Sequence, residues 1–152
     1  MALSDEQKQL IKAASDKTFP FVERCGVQTL DVDRGYCKML MPFAPNVNHV
    51  GIMYAGALYT LAELPGGTIY LTSFDTGKFY PIVKDMHIRF RRPATTDVTV
   101  EVTLSDEEIA RIESTTEEVG KCDFEWDVEL KDTKGEVVAI AHNVYQLRKI
   151  GG

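Results

Sequence analysis

Residues 48–67 read NHVGIMYAGALYTLAELPGG, which is the longest weakly polar run in the chain. Between Lys38 and Asp75 the only charged residue is Glu63. A carboxylate in such a segment is costly when it is buried, because desolvation disfavours its ionised form. A buried carboxylate without a charged neighbour is therefore a candidate for proton chemistry. The alternative is a Glu63 side chain that faces solvent or accepts a structural hydrogen bond.

The composition is that of one globular domain spanning residues 1–152, with 44% hydrophobic and 26% charged residues. A net charge of −6 argues against a general nucleic-acid-binding surface. Three widely spaced cysteines, with no CxxC motif, favour a reducing compartment, and we expect a cytoplasmic protein. The polar N-terminus does not resemble a signal peptide, and the carboxylate and proline in the apolar run argue against a membrane span.

The sequence before the apolar run predicts a helix and a hairpin. Ser4 and Gln7 form a capping-box pattern, so a helix is expected over 4–16, within an N-terminal extension of 1–22. Phe19, Phe21 and Val22 are expected to anchor this extension to the body of the protein. Residues 26–42 predict two strands joined by a turn at 33–35.

The apolar run itself predicts a long buried helix over 54–74, because it is apolar on nearly every side. Pro65 should kink this helix, since it cannot donate to the carbonyl of Leu61. The kink lies within one turn of Glu63 and leaves a free carbonyl near the lone carboxylate.

The second half of the chain alternates with the period of two that is typical of strands. Strands are expected over 80–90, 98–104, 122–130 and 137–147, with a helix over 106–118 that Gly120 ends. In the first of these strands, Tyr80, Ile82, Met86 and Ile88 are predicted to share one face. One-sided apolar strands favour an antiparallel sheet, and the only apolar element it can cover is the 54–74 helix. The predicted fold is α+β, a curved antiparallel sheet around a long central helix.

This order of elements, with several short motifs, resembles the hotdog-fold thioesterases, and in particular the phenylacetyl-CoA thioesterase group and its uncharacterised relatives. Asn48 and Gly51 match the family's Asn and the Gly three residues later. Residues 54–56, Tyr-Ala-Gly, stand where the family has His-Gly-Gly, and residues 61–63, Leu-Ala-Glu, where it has Leu-Ala-Asp. The strand ending in Arg92-Pro93 and the turn at 135–139 also match, so the resemblance covers residues 26–148.

The resemblance implies hydrolysis of an acyl-CoA or acyl-carrier thioester to a free acid and a thiol. Glu63 would be the general base or the nucleophile, Asn48 would position water or substrate, and the Gly56 N–H would stabilise the oxyanion. Further substrate-binding residues would be Gly51, Tyr54, Ala55, Leu58, Arg89 and Arg91. Arg89 and Arg91 would clamp the phosphates of coenzyme A, unless they lie on a solvated strand face paired with carboxylates.

The resemblance also implies a homodimer or a dimer of dimers, since the family's active sites lie at a subunit interface. Glu63 would then face Asn48 of the partner chain. No cofactor is expected, because coenzyme A enters as part of the substrate, and no metal-binding spacing is present.

Several alternatives stay open at this stage. The structural alternatives are an ordinary loop role for Asn48, close helix packing for Gly56 and a core position for Tyr54, which we slightly favour. The functional alternatives are a hydroxyacyl-thioester dehydratase that pairs His49 with Glu63, and a non-catalytic acyl-thioester-binding module. The acyl group, the choice between a dimer and a tetramer, and the choice between coenzyme A and a carrier protein are not predicted.

Overall fold

The computed structural model describes residues 2–151 and begins with the predicted helix, α1 (Asp5–Asp16). Its capping box is formed: the Gln7 backbone N–H donates to Ser4 Oγ at 3.2 Å, and the Ser4 N–H donates to Gln7 Oε1 at 2.9 Å. A second, unpredicted helix, α2 (Pro20–Cys25), follows and ends at Gly26, whose φ is 74°. Helix α2 begins at Pro20 because its fixed φ suits the first helical position.

The predicted anchoring of this N-terminal extension is only partly correct. Val22 is fully buried, but the side chains of Phe19 and Phe21 are about half exposed, at 48% and 51%. Since both rings flank Pro20 at the start of α2, they project from the body of the single chain rather than into its core. Two exposed phenylalanines so close together need a functional or structural explanation.

Six strands form one fully antiparallel sheet, as the alternating patterns predict. They are β1 (Gln28–Asp33), β2 (Tyr36–Met41), β3 (Phe79–Phe90), β4 (Val98–Thr103), β5 (Lys121–Lys131) and β6 (Val137–Lys149). Their order across the sheet is β1-β2-β4-β5-β6-β3, and β4 and β5 meet at only one residue pair, Thr99 with Lys131. Strand β3 is therefore one edge of the sheet.

One face of this sheet forms the core. Alternate residues of β2, β4, β5 and β6 are buried, and they include Met39, Met41, Phe124, Tyr145 and Leu147. They pack against the apolar positions of the central helices, among which Leu61, Ala62 and Ile69 are fully buried. The sheet thus covers the helical segment as the sequence predicts.

The central helical segment is not one long helix, which corrects the prediction. It consists of α3 (Ala55–Glu63) and α4 (Pro65–Ser73), separated at Leu64. Leu64 keeps helical backbone angles (φ −54°, ψ −36°), so α4 continues directly from α3. The chain is divided here because Pro65 has no N–H to donate, and the N–H of Gly67 turns to the carbonyl of Leu64 instead, at 3.1 Å.

Strand β3 differs from its prediction because a bulge at Lys84 reverses its faces. The pairing register with β6 shifts between Val83 and Asp85. Before the bulge Pro81 and Val83 lie opposite inward-facing residues of β6, and after it Met86 and Ile88 do so. A single inserted residue moves every later side chain to the other face of a strand. Tyr80 and Ile82 therefore do not share a face with Met86 and Ile88, and both are exposed.

The remaining helix, α5 (Asp106–Val119), matches its prediction and ends at Gly120 in the left-handed conformation (φ 94°). It packs on β5 and β6 through the buried residues Ile109, Ile112 and Thr116. No helix among residues 2–151 is both long and apolar enough to cross a membrane.

The contact between α4 and β6 leads to the first testable prediction. A Cβ at position 66 would overlap the buried ring of Tyr145, whereas a Cβ at position 67 would meet nothing within 4 Å. Gly66→Ala should therefore lower the free energy of unfolding by about 2 kcal/mol, the range of overpacking substitutions. Gly67→Ala is the matched control, and it should be neutral or stabilising by up to ~1 kcal/mol through helix propensity. Denaturant unfolding measures both, and equal effects of the two substitutions would contradict the contact.

Candidate active site

The division between α3 and α4 is held by two buried polar side chains of β6. Asn143 Nδ2 donates to the carbonyl of Ala62 at 2.8 Å, and the Tyr145 hydroxyl donates to the carbonyl of Glu63 at 2.9 Å. Asn143 Nδ2 also donates to the Tyr145 hydroxyl at 3.0 Å. Carbonyls at the end of α3 thus find donors from the sheet rather than from the next helical turn.

These hydrogen bonds fix the backbone that carries Glu63. Tyr145 is 2% exposed and Asn143 is fully buried, so neither can move without disturbing the core. The Tyr145 ring also stacks on Phe124, with ring centroids 5.6 Å apart. Glu63 therefore projects from a rigid helix end, where the carbonyls of Ala62 and Glu63 are hydrogen-bonded. The carbonyl that Pro65 was predicted to free is that of Leu61, and no side chain of the described residues donates to it.

The Glu63 carboxylate lies in apolar surroundings. It lines a cavity of about 310 Å³ between α2, α3 and β3, together with Phe19, Phe21, Val22, Tyr59, Thr60, Leu64, Val83 and Met86. Neither carboxylate oxygen forms a hydrogen bond or salt bridge with any residue in 2–151. Burial raises the pKa of Glu63, because the charged form loses water without gaining a partner. The carboxylate is thus available for proton transfer, as the sequence suggested.

Asn48 stabilises its own loop and keeps one polar group free. Its Oδ1 accepts from the N–H groups of Val50 at 3.0 Å and Ile52 at 3.2 Å, so the loop role expected as an alternative is present. Its Nδ2 donates to no residue in the described part of the chain. The amide nitrogen therefore stays available for substrate or water.

The start of α3 presents a free backbone donor. The N–H of Gly56 makes no hydrogen bond to any described residue, as is usual in the first turn of a helix. The ring of Tyr54 lies over the Cα of Gly56, where a Cβ would overlap it. Tyr54 is 60% exposed, so the core position that we favoured for it is wrong. Tyr54 precedes the helix, and its phenol faces outward. The backbone N–H of Tyr54 donates to the carbonyl of Asn46.

A second cavity, of about 370 Å³, lies beside this helix start. Its walls include Asn48, Ala55, Leu58, Phe90, Arg91 and Arg92. Arg92 pairs with Glu136 at 2.9 Å, whereas neither Arg89 nor Arg91 forms a salt bridge within residues 2–151. The carboxylate Asp123, a possible partner for them, pairs instead with Lys84 at 2.8 Å. The cavity therefore has an unpaired cation at its mouth, and Arg89 and Gly51 lie outside it.

The predicted site residues fall into two groups at opposite ends of α3. Asn48, Gly56, Ala55, Leu58 and Arg91 gather at its first turn, while Glu63 is its last residue. Gly56 and Glu63 are seven residues apart, which is about 10 Å along a helix. Because an oxyanion donor and a base each act within about 3 Å of the reacting carbonyl, these two groups cannot serve one substrate within one chain.

The histidines of the described residues do not lie beside Glu63 within one chain. His49 lies exposed in the loop before α3 and lines neither cavity, so within one chain it is not beside Glu63, and a pairing of the two would need a second copy of the chain, as the pairing with Asn48 does. His142 bonds through Nδ1 to Asp127 at 2.7 Å on the outer face of the sheet, where Glu125 also approaches. These acidic partners, from the neighbouring strand, raise the pKa of His142. No group of three metal-ligating side chains occurs among residues 2–151.

Some residues near Glu63 were not assigned to the site from the sequence. The walls of its cavity come from α2 and β3, through Phe19, Phe21, Val83 and Met86, and its backbone is held by Asn143 and Tyr145. The sequence signal for Phe19 and Phe21 was the Phe-Pro-Phe sequence at 19–21. No sequence pattern indicates Asn143 and Tyr145, because side-chain hydrogen bonds to backbone carbonyls far along the chain leave no periodic pattern.

Comparisons with known proteins show what this arrangement resembles. The family model described as a domain of unknown function, DUF4442, matches residues 7–146. A Pseudomonas aeruginosa protein of unknown function, described as a probable thioesterase, is 47% identical over 98% of both chains, with a TM-score of 0.90. A Shewanella oneidensis protein provisionally designated a thioesterase is 25% identical, covering 94% of this chain and 98% of its own (TM-score 0.75).

A more distant neighbour shares the fold alone. It is a Haemophilus influenzae thioesterase, 14% identical, with a TM-score of 0.71 over all of this chain and 95% of its own. None of the curated proteins matches this chain. Since these neighbours are of the hotdog type, the predicted fold class is confirmed.

The buried carboxylate leads to a prediction about stability and pH. Because the folded protein raises the pKa of Glu63, folding is favoured when Glu63 is protonated, and this advantage is lost as the pH rises through the raised pKa. Glu63→Gln should therefore be more stable than the wild type at pH 7, and the difference should shrink to nothing below the ordinary pKa of 4.5. Thermal unfolding between pH 4 and 8 measures it. Glu118→Gln, at an exposed position of α5, is the control, and the same pH trend in both variants would contradict the assignment.

Proposed function

The chain belongs to the DUF4442 family and has the hotdog fold, and on this basis we propose that it hydrolyses acyl thioesters with Glu63 as the catalytic carboxylate. The observation that carries the proposal is an unpaired carboxylate at a rigid helix end, in an apolar cavity. Support for thioester hydrolysis in general comes from the thioesterase designations of the Pseudomonas and Shewanella proteins, which resemble this chain over nearly their whole length.

In the proposed reaction Glu63 acts as general base. Its carboxylate takes a proton from water, and the resulting hydroxide attacks the thioester carbonyl carbon. The C–S bond then breaks, and the departing thiolate receives the proton, so that the products are a carboxylic acid and a thiol. Burial suits this role, because it raises the pKa of Glu63 towards neutrality and strengthens its basicity. Direct attack by the carboxylate on the carbonyl carbon is the nucleophilic variant.

The start of α3 supplies the stabilising groups. The free N–H of Gly56 lies in the first turn of the helix, where the helix dipole favours negative charge, so it suits the developing oxyanion. Asn48 Nδ2 is the second polar group on this side and positions the water or the thioester. Tyr54, Ala55, Leu58 and Gly51 surround this end of the helix and contribute to substrate binding.

The active site is proposed to form between two copies of the chain. Glu63 of one copy and the Gly56 end of α3 in the other can meet across a two-fold axis perpendicular to the helix, because such an axis sets the C-terminal end of one helix against the N-terminal end of its mate. The edge strand β3 supports association, since it exposes Ile82, Val83 and Phe90 along an unpaired edge. We propose a homodimer, or a homotetramer that consists of two such dimers.

Coenzyme A is the proposed thiol. Arg91 lines the cavity at the Gly56 end of α3 and has no carboxylate partner, while Arg89 lies two residues earlier on the same edge strand. Guanidinium groups suit the bidentate recognition of phosphates, which an acyl-carrier protein and coenzyme A both present.

The three cysteines are free and favour a reducing compartment, so the cytoplasm is the proposed location.

The test places Glu63→Gln and Asn48→Asp on different chains of one dimer. Asn48→Asp keeps the Oδ1 that holds the loop but removes the Nδ2 donor. Each variant alone should lose activity on acyl-CoA esters, the Glu63 variant by about 10²–10⁴-fold. A heterodimer of the two, isolated with two affinity tags, keeps one complete site of its two and should recover about half of the wild-type kcat.

The matched control places both substitutions on one chain, paired with a wild-type chain. A site shared between subunits leaves this heterodimer inactive, whereas a site within one chain leaves it half active, so the two arrangements give opposite results. Full thiol release by Glu63→Gln would reject the carboxylate mechanism. Binding of every ester without turnover by the wild type would instead favour a non-catalytic module.

Arg91→Ala tests the coenzyme A assignment. Loss of a phosphate contact should raise KM for an acyl-CoA about tenfold, with kcat nearly unchanged, because the contact is present in both ground and transition states. The same ester of a short thiol without phosphates should show no change in KM. Lys134→Ala, in an exposed turn of the same sheet, is the charge-matched control. An equal change in KM for both esters would remove the phosphate role.

A further inference from the structure

We propose that Phe19, from the N-terminal extension, ends the acyl-binding channel beside Glu63 and so sets the length of hydrocarbon chain that the site accepts. The inference rests on the proposed function in taking the ligand to be an acyl thioester. It adds a specificity-determining residue that lies outside the sheet and helices of the resemblance, and it gives the exposed Phe-Pro-Phe segment a role.

The first observation is that Phe19 separates two cavities. The cavity of about 310 Å³ that holds Glu63 lies between α2, α3 and β3, and a second of about 230 Å³ lies between the end of α1 and α4. The two share three lining residues, namely Phe19, Glu63 and Leu64. Leu64 belongs to the rigid segment between the central helices. The Phe19 ring is therefore the part of the wall between the two cavities that a substitution can remove.

The second observation concerns the chemistry of the walls. Around the first cavity the side chains are mainly aromatic and aliphatic, with Phe21, Tyr59, Val83 and Met86 beside the single carboxylate. Such walls offer a hydrocarbon chain a dry surface. Their hydroxyl groups are those of Tyr59 and Thr60, and Thr60 Oγ1 already donates to Gly56 O at 2.7 Å. An unbranched aliphatic acyl chain is therefore the ligand class that fits, with its carbonyl end towards Glu63.

The cavity beyond Phe19 is also able to take hydrocarbon. Its hydroxyl groups are already bonded within the protein: Thr68 Oγ1 donates to Ser15 Oγ at 3.0 Å, Thr18 Oγ1 to Ala14 O at 2.9 Å, and Tyr70 to Phe79 O at 2.8 Å. Because these groups need no partner from a ligand, the space is accessible to a chain that passes the position of Phe19.

The position of Phe19 suits both its role and its study by mutation. Its backbone is held at the start of α2, where its carbonyl accepts from the Glu23 N–H at 3.1 Å and Pro20 fixes the next residue. Its side chain is 48% exposed, so truncation removes little core packing and the variant should fold. Phe21 is the matched control, since it lines the first cavity but not the second.

The experiment measures binding of S-alkyl-CoA thioethers of graded length, which cannot be hydrolysed, to the dimeric protein by calorimetry. Each methylene that enters the channel should tighten binding about fourfold, the equivalent of ~0.8 kcal/mol, until the chain reaches Phe19. In Phe19→Ala this gain should continue for at least two more methylenes, and in Phe19→Trp it should stop earlier. Phe21→Ala should weaken binding of the longer chains without moving the stopping point.

An unchanged stopping point in folded Phe19→Ala would overturn the proposal, as would an equal displacement in Phe21→Ala or the absence of thioether binding to the wild type. The readout needs no turnover, so it is separate from the test of hydrolysis. A displaced stopping point in a protein that hydrolyses no ester would keep Phe19 as the channel end and reject the proposed function. Hydrolysis of esters together with an unchanged stopping point in Phe19→Ala would support the proposed function and reject Phe19 as the channel end.

Discussion

The candidate site depends on how the protein satisfies backbone carbonyls where its central helices divide. Pro65 removes one intrahelical donor, and the following N–H groups turn elsewhere, which leaves carbonyls at the end of α3 inside the core. Asn143 and Tyr145 of β6 donate to those of Ala62 and Glu63. An unsatisfied buried carbonyl costs about 1–3 kcal/mol, so these bonds tie the helix end to the sheet.

That tie explains how a carboxylate can sit in an apolar cavity without a partner. The backbone of Glu63 is fixed by the sheet, and Gly66 allows the ring of Tyr145 to approach closely. The carboxylate itself remains free, and burial raises its pKa. The unpaired Glu63 carboxylate thus lowers the stability of the fold, while the carbonyls of Ala62 and Glu63 are hydrogen-bonded. Such a local loss of stability is common at functional sites.

The length of α3 imposes a second constraint. Its nine residues separate the free N–H of Gly56 from Glu63 by about 10 Å, too far for both to act on one carbonyl. The proposed dimer would supply the two groups from different chains, and the unpaired edge of β3 supports such an association. In the proposed channel, Phe19 of the N-terminal extension is the wall that the end of the hydrocarbon chain would reach.

Much of the fold could be predicted, because it follows from local patterns. The capping box of α1, the hairpin turn at 33–35, the alternation in β5 and the Gly120 helix end all have short-range causes. The bulge at Lys84 could not be predicted, since it is a matter of pairing with β6, and it moved Tyr80 and Ile82 off the inner face. The central helix was predicted as one helix kinked at Pro65, because the apolar run continues past the proline. The angles at Leu64 are indeed helical, and the hydrogen bonds around it show the division into two helices.

The site was predicted less completely than the fold. Glu63 was singled out because isolation in an apolar run is visible in sequence, and Asn48 and Gly56 through a resemblance. Phe19 and Phe21 were expected to anchor the N-terminal extension, but their exposure depends on what lies opposite them and not on their own type. Tyr54 was expected in the core, yet it lies at the start of α3 and faces solvent.

The most direct measurement of the central claim is a crystal structure of the protein with a non-hydrolysable acyl-CoA ketone, in which a methylene replaces the thioester sulfur. The account predicts the ketone oxygen within about 3 Å of the Gly56 N–H of one subunit. It predicts the Glu63 carboxylate of the other subunit within reach of the carbonyl carbon, directly or through one water. A ketone bound beyond the reach of any Glu63 carboxylate, in a complex with coenzyme A well ordered, would contradict the account.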